Sequence, residues 1–219
     1  MPADTLDGPA RLLRTGALTS IEPEAPEPRW AVPPVGGWTA DGLDTLPNLP
    51  PHTELIDGSL VLVSPRAVFH ERAIDYLKWQ LQSLAPLDLD VFREFTIDVD
   101  FQNRPELDVV VVRADAVESL RQTRFPASSV LLAVEVVSDE SVTRDRETKP
   151  VKYARARIPH YRRVENQDGR AVVHVFELEP ATGAYTSTGI FHDRMKVSTP
   201  FAVDLDLTAI VSRRRAHTE

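Results

Sequence analysis

Two acids stand where acids are costly. Asp108 opens the run Val109-Val110-Val111-Val112, and Glu135 interrupts the apolar stretch VLLAVEVV from Val130 to Val137. An ionised carboxylate among such neighbours is unfavourable unless a cation or hydrogen-bond donors meet it. Read singly, each acid is better explained as a strand-end carboxylate paired with an arginine or a helix N-terminus. Read together on adjacent strands, they point to a shared divalent cation. The chain has no cysteine, so a metal must sit on oxygen or nitrogen, and an oxygen set suits Mg²⁺ or Mn²⁺.

The segment after Glu135, SDESVTRDRETKPVKYARARIPHYRR, carries Arg144, Arg146, Lys149, Lys152, Arg155, Arg157, Arg162 and Arg163 against Asp139, Glu140, Asp145 and Glu147. A basic helix beside an acidic metal centre is what phosphodiester cleavage needs, because metal and lysine activate water while other cations hold the flanking phosphates. Arg144, Arg146 and Lys152 are the candidates for gripping a substrate backbone. A solvated charged helix face is the plainer alternative for any one of them. His70 is a further candidate for substrate contact, although its place on the Leu77 and Leu81 face fits a packed or capping histidine better. Tyr153 likewise reads as packed.

These residues need elements to position them. WTADGLDTLPNLPPHTELIDGSLVLVSP gives a short helical turn and then two apolar runs about Asp57-Gly58, a hairpin signal with Glu54 just before the turn. From Ala67 to Ala85 the positions Ala73, Ile74, Leu77, Leu81 and Leu84 recur at steps of three and four, an amphipathic helix. Val91 to Asp100 alternates, placing Val91, Phe95, Ile97 and Val99 nearly in phase, while Phe92 breaks the phase as a bulge would. Leu107 to Val112 and Val130 to Val137 have the unbroken β-branched character of central strands. A helix is expected from about Ser141 to Arg157, a short strand at Tyr161 to Val164, and a closing meander at Ala171 to Leu178 and Ala184 to Ile190.

The bulk composition narrows the function classes. With 219 residues and 42% hydrophobic content the chain can fill one sizeable core. No run approaches the roughly 18 to 20 apolar residues of a membrane span, and the N-terminus lacks a signal-peptide pattern, so the expected location is cytoplasmic with no membrane partner. The net charge of -8 argues against coating nucleic acid by bulk electrostatics. No glycine-rich phosphate loop is present.

In order along the chain, TELIDGSLVLVSP, His70 at the helix start, RPELDVVVV, LLAVEVVSDES and DRETKPVKYA leading to RIPHY resemble the Uma-type (Uma-two) restriction endonuclease family, within the PD-(D/E)XK nuclease superfamily. The matching features cover about residues 38 to 165. The resemblance implies that Asp108 and Glu135 are metal-binding acids, that the backbone carbonyl of Val136 is a further ligand, and that Glu54 is an accessory acid. The superfamily's lysine two residues after the glutamate is Val137 here. The resemblance assigns its role to Lys149, with Lys152 in reserve. Two departures stand out. Pro150 follows Lys149, which predicts that regular helix begins late and leaves Lys149 near a cap. Arg162 takes the place of the tryptophan that follows the family's proline turn.

The expected fold is α/β (α+β): a restriction-endonuclease-like mixed β-sheet core flanked by helices, with a C-terminal β-meander. Residues 37–212 are expected to form one domain, after a flexible Pro-rich tail at 1–36 and before a basic end at 213–219. The expected activity is Mg²⁺- or Mn²⁺-dependent endonucleolytic hydrolysis of DNA, with a homodimer implied by resemblance. The same pattern also serves an inactive module that binds DNA or protein, or an enzyme acting on RNA or another phosphoester.

Overall fold

Strand propensity builds the centre of the molecule. The computed structural model describes Trp30 and residues 32–212, so most of the expected tail and all of the basic end lie outside the described residues. The two β-branched runs form β4 (Glu106–Arg113) and β6 (Val130–Val136), antiparallel neighbours within a seven-stranded sheet. Its order is β5-β3-β4-β6-β7-β8-β9. The remaining strands are β3 (Leu89–Asp98), β5 (Arg124–Pro126), β7 (His160–Gln167), β8 (Arg170–Glu179) and β9 (Ala184–Phe191). Strand β3 runs parallel to β5 and β6 parallel to β7, while the other pairs are antiparallel, so the sheet is mixed as expected.

Each face of the sheet carries its own helix. The amphipathic stretch forms α2 (Val68–Leu84), whose Ala73, Ile74, Leu77 and Leu81 are buried against Val109, Val111, Leu132 and Val134. Burying side chains of this kind stabilises the fold by about 1.5–3 kcal/mol each. On the opposite face α3 (Lys149–Arg155) places Tyr153 among Val110, Phe125, Ala133 and Tyr161. Before the sheet come the short α1 (Ala40–Leu43) and a hairpin of β1 (Glu54–Ile56) and β2 (Ser59–Val61). The hairpin turns where the sequence predicts, with φ of 49° at Asp57 and 71° at Gly58, the left-handed pair that a two-residue turn requires.

Two expectations are corrected, and four short elements are added. The phase break in β3 lies at Glu94 rather than Phe92: Glu94 has φ 51°, and the β3–β4 pairing skips from Arg93↔Val109 to Phe95↔Leu107. Phe92 packs with Phe95 and Phe125 on the α3 face, whereas Val91 belongs to the α2 face. The helix after β6 is not regular throughout, because Arg144–Thr148 forms a wide π turn in which the Lys149 amide donates to the Arg144 carbonyl. That turn delivers Pro150 into the first turn of α3, where its missing N–H is tolerated. Finally, β5, β10 (Arg194–Val197), β11 (Val203–Asp206) and α4 (Thr208–Val211) are elements of three or four residues, too short to show a period in sequence.

No described helix is long and apolar enough to cross a membrane. Ile74 is fully buried while Trp79, on the same helix, is 67% exposed. Ile74→Ala is therefore expected to cost about 2–5 kcal/mol in urea unfolding, and Trp79→Ala to stay within about 0.5 kcal/mol. Equal costs at the two positions would contradict the assigned core.

Candidate metal centre

The centre forms where pairing of β4 is interrupted toward β3 and ends toward β6. The β3–β4 ladder has no partner for Asp108, and the β4–β6 ladder ends at Val109↔Val134. With backbone pairing released, the Asp108 side chain takes over: its Oδ2 accepts the Val136 amide at 2.7 Å. Asp108 thereby spans the gap between the strands, and Glu135, one residue before Val136, is left facing α3.

Helix α3 and the π turn before it supply the groups that meet Glu135. Asp145, Lys149 and Tyr153 recur at steps of four and share one helix face. The Lys149 Nζ lies 2.9 Å from Glu54 Oε1, 3.2 Å from Glu135 Oε1 and 3.5 Å from Asp145 Oδ1. The Tyr153 hydroxyl donates to Glu135 Oε1 at 2.5 Å. From β1, Glu54 Oε1 also accepts the Glu106 amide at 2.9 Å, which fixes the hairpin to β4. His70 reaches in from α2 with Nε2 3.4 Å from Asp108 Oδ2. Its ring is therefore buried in contact with the centre, and its Nδ1 has no hydrogen-bond partner. A cleft of about 200 Å³ opens over this group, lined also by Val136, Arg66 and Arg144.

The structure thus brings together Glu54, His70, Asp108, Glu135, Val136, Arg144 and Lys149. It separates two of the expected backbone-gripping cations from them. Lys152 is 7% exposed and its Nζ sits 2.5 Å from Asp57 Oδ1, so it clamps α3 onto the β1–β2 turn and does not line the cleft. Arg146, in the π turn, does not line the cleft and makes two hydrogen bonds to Glu165 on β7. Sequence reasoning did not single out Asp145 or the Tyr153–Glu135 bond. The step-of-four spacing of Asp145, Lys149 and Tyr153 was the available signal.

Electrostatics set the protonation of the group. Four buried carboxylates, Glu54, Asp108, Glu135 and Asp145, share one ammonium, which contacts all of them but Asp108. Burial pushes the Glu135 carboxyl well above the ordinary carboxylate range; Lys149 opposes the shift, and Asp145, Asp108 and Glu54 reinforce it. Burial raises Asp145 in the same way against the pull of Lys149 and the Ser141 hydrogen bond. For Asp108 burial also acts upward, but the His70 ring, Lys149 and the Val136 amide outweigh it and hold the group below its usual value. Burial disfavours the charge of Lys149, yet the four acids outweigh burial and keep it well above the ordinary lysine value. Two carboxyls on adjacent strands are thus pushed in opposite directions.

Does this set fit a metal ion? Among the described residues no three His, Cys, Asp or Glu side chains already stand at mutual metal-ligating distances, and the Lys149 ammonium sits between Glu54, Glu135 and Asp145. The donors are nevertheless all oxygen, their negative charge is in excess, and Asp145 Oδ1 is buried without a hydrogen bond. One or two carboxylates completed by water and substrate phosphate is the usual Mg²⁺ arrangement, so the residues fit a hard divalent cation.

A mixed sheet with buried acids at a fork between central strands defines a restriction-endonuclease-like protein. The chain belongs to the Uma2 family, described as "Putative restriction endonuclease", which it matches over residues 40–209. Among solved structures it is similar to "a putative nuclease belonging to DUF820" from Anabaena variabilis, at 14% identity and a TM-score of 0.62, covering 79% of this chain and 97% of that one. This likeness bears on the fold. The cAAA-bound form of P. aeruginosa NucC aligns at 12% identity over 53% of this chain and 70% of that one, and its TM-score of 0.33 is too low to add to the case. No curated protein matches the chain.

The charge imbalance generates a stability test in chelating buffer. Glu135 has a folded-state pKa above its unfolded one, so its contribution is intact below the ordinary carboxylate value and lost as pH rises toward the raised value. Denaturant unfolding between about pH 4 and about pH 8 should show the parent losing stability across that window and Glu135→Gln losing less. Lys149→Met, which removes the shared cation, should destabilise by about 3–5 kcal/mol at neutral pH. Parallel pH curves for parent and Glu135→Gln would show that Glu135 is not strained by burial.

Proposed function

We propose that this chain is a metal-dependent endonuclease that hydrolyses DNA phosphodiester bonds at the cleft above Asp108 and Glu135. The observation that carries the reading is the convergence of three carboxylates, Glu54, Glu135 and Asp145, on Lys149 beside Asp108 at the fork between β4 and β6. Membership of a family described as restriction endonucleases supports the substrate class.

In this reading Asp108, Glu135 and the Val136 carbonyl hold Mg²⁺ or Mn²⁺. The bound ion would polarise a phosphate and lower the pKa of a water. Asp108, held ionised by its partners, is the permanent anionic ligand. Glu135 would hold the ion as a carboxylate, since added positive charge would oppose the burial that raises its pKa. Lys149 stays an ammonium, so it orients the attacking water and faces developing negative charge as a donor; it is not the base that takes the water's proton. Glu54 holds that ammonium from the hairpin side, and the Lys152–Asp57 clamp keeps the hairpin in place. Arg144, which lines the cleft, would meet a flanking phosphate.

The test is cleavage of supercoiled plasmid with Mg²⁺ or Mn²⁺, with variants purified in parallel. The parent should nick or linearise the plasmid, and linearisation would be in keeping with a homodimer. Asp108→Ala and Glu135→Ala should abolish cleavage with folding retained, and Lys149→Met should reduce it by about 10²–10⁴-fold. Equal cleavage by parent and Glu135→Ala, with no Mn²⁺ binding by calorimetry, would overturn the reading.

A further inference from the structure

A second concavity lies on the far side of α3, between that helix and the β7–β8–β9 end of the sheet, with a volume of about 520 Å³. That size falls within the range of small-ligand sites, about 300–1,000 Å³. Its walls combine two chemistries. Phe176 and Tyr185 supply aromatic surface next to Ala154 and Gly183, while Arg146, Arg155 and Arg163 supply cations.

The arginines are pre-positioned. Glu165 is 4% exposed and accepts from Arg163 Nε at 2.7 Å and from Arg146 Nε and Nη2 at 3.1 and 2.7 Å. One buried carboxylate therefore orders two guanidinium groups and neutralises one of them. Arg163 also lies over the Phe176 ring, with its guanidinium carbon 5.4 Å from the ring centroid. The imbalance grows at the rim, where Arg155 makes no ion pair among the described residues, and only Glu147 of the lining side chains opposes the three arginines. The groove thus joins two ordered guanidinium groups and one unpaired arginine to aromatic surface, a local positive excess on a chain of net charge -8. Arginine planes and aromatic rings stack nucleobases, and free guanidinium N–H groups bind phosphate.

We propose that this groove binds one nucleotide unit, its base lying against the Arg163 and Tyr185 surface and its phosphate on Arg155 and Arg146. A free nucleotide and a nucleotide within a nucleic-acid chain present the same chemistry. The site is separate from the acidic centre, since the two clefts share no lining residue. It needs neither metal nor the cleavage reaction.

The full chain is titrated in EDTA, which keeps the acidic centre out of the measurement, with dAMP and with a fluorescein-labelled single-stranded oligodeoxynucleotide. The variants are Arg155→Glu, which reverses an exposed and unpaired charge, and Val151→Trp, which places bulk into the groove from a residue that is 49% exposed. Both should weaken binding by about tenfold or more, and Arg155→Glu should also lower its salt dependence. Binding of dAMP that the oligonucleotide does not displace supports the site as one for free nucleotides. Oligonucleotide binding that is lost in both variants, with dAMP silent, supports a subsite for a nucleic-acid chain. Binding of either probe that neither variant weakens overturns the proposal, as does absence of binding by both. Dimer dissociation in Val151→Trp by analytical ultracentrifugation, with nucleotide binding unchanged, also overturns it and assigns the groove to a second copy. Loss of plasmid cleavage in Glu135→Ala with groove binding intact separates this site's outcome from that of the acidic centre.

Discussion

The attraction between the Lys149 ammonium and the carboxylates of Glu54, Glu135 and Asp145 holds the site together, and it is insufficient by design of the charges alone. One cation faces four buried acids. The remaining negative charge is managed locally: Asp108 by a backbone amide and a histidine, Glu135 by a tyrosine hydroxyl and a raised proton affinity. Each device consumes a specific element of the fold. The amide comes from β6, the histidine from α2, the hydroxyl and ammonium from α3, and the opposing carboxylate from β1.

The sheet accommodates this by giving up regularity at one level of its strands. Glu94 in β3 adopts a left-handed backbone, Asp108 in β4 has no ladder partner on either side, and β6 stops pairing with β4 before Glu135. A fully paired sheet would occupy the Val136 amide with a backbone carbonyl. The interruption releases that amide to the carboxylate, and strain of this kind is commonly concentrated at functional sites. The π turn before α3 is a second local departure, and it sets the Asp145–Lys149 pair on the face that looks at Glu135.

Much of this was legible in the sequence, for physical reasons that differ from residue to residue. Asp108 and Glu135 stood out because carboxylates inside β-branched runs contradict burial rules, and α2 stood out because a 17-residue helix shows its period several times over. The Asp57-Gly58 turn was readable because few residue pairs accept two positive φ angles. The partners of Lys152 and Arg146 were not readable, since a lysine or arginine in a basic helix looks the same whether it faces solvent, phosphate or a carboxylate 95 residues away, as Lys152 does. The phase break was misplaced to Phe92 because a change of face shows in sequence only as mixed apolar order, while its cause is the backbone of a charged residue. The last strands, β10 and β11, pair over only four residues each and offered no pattern to read.

The long sequence reach of these contacts has a consequence for how the protein is made. Glu106 meets Glu54 across 52 residues, Val136 meets Asp108 across 28, and Lys152 meets Asp57 across 95. Contacts of such separation form late, because the loops they close must be ordered first. During synthesis from the N-terminus the acids emerge before the lysine that pairs with them, so no partial chain ending before Lys149 holds the complete constellation. The geometry of the cluster is thereby tied to emergence of α3, and a growing chain carries the acids before the one cation that offsets them.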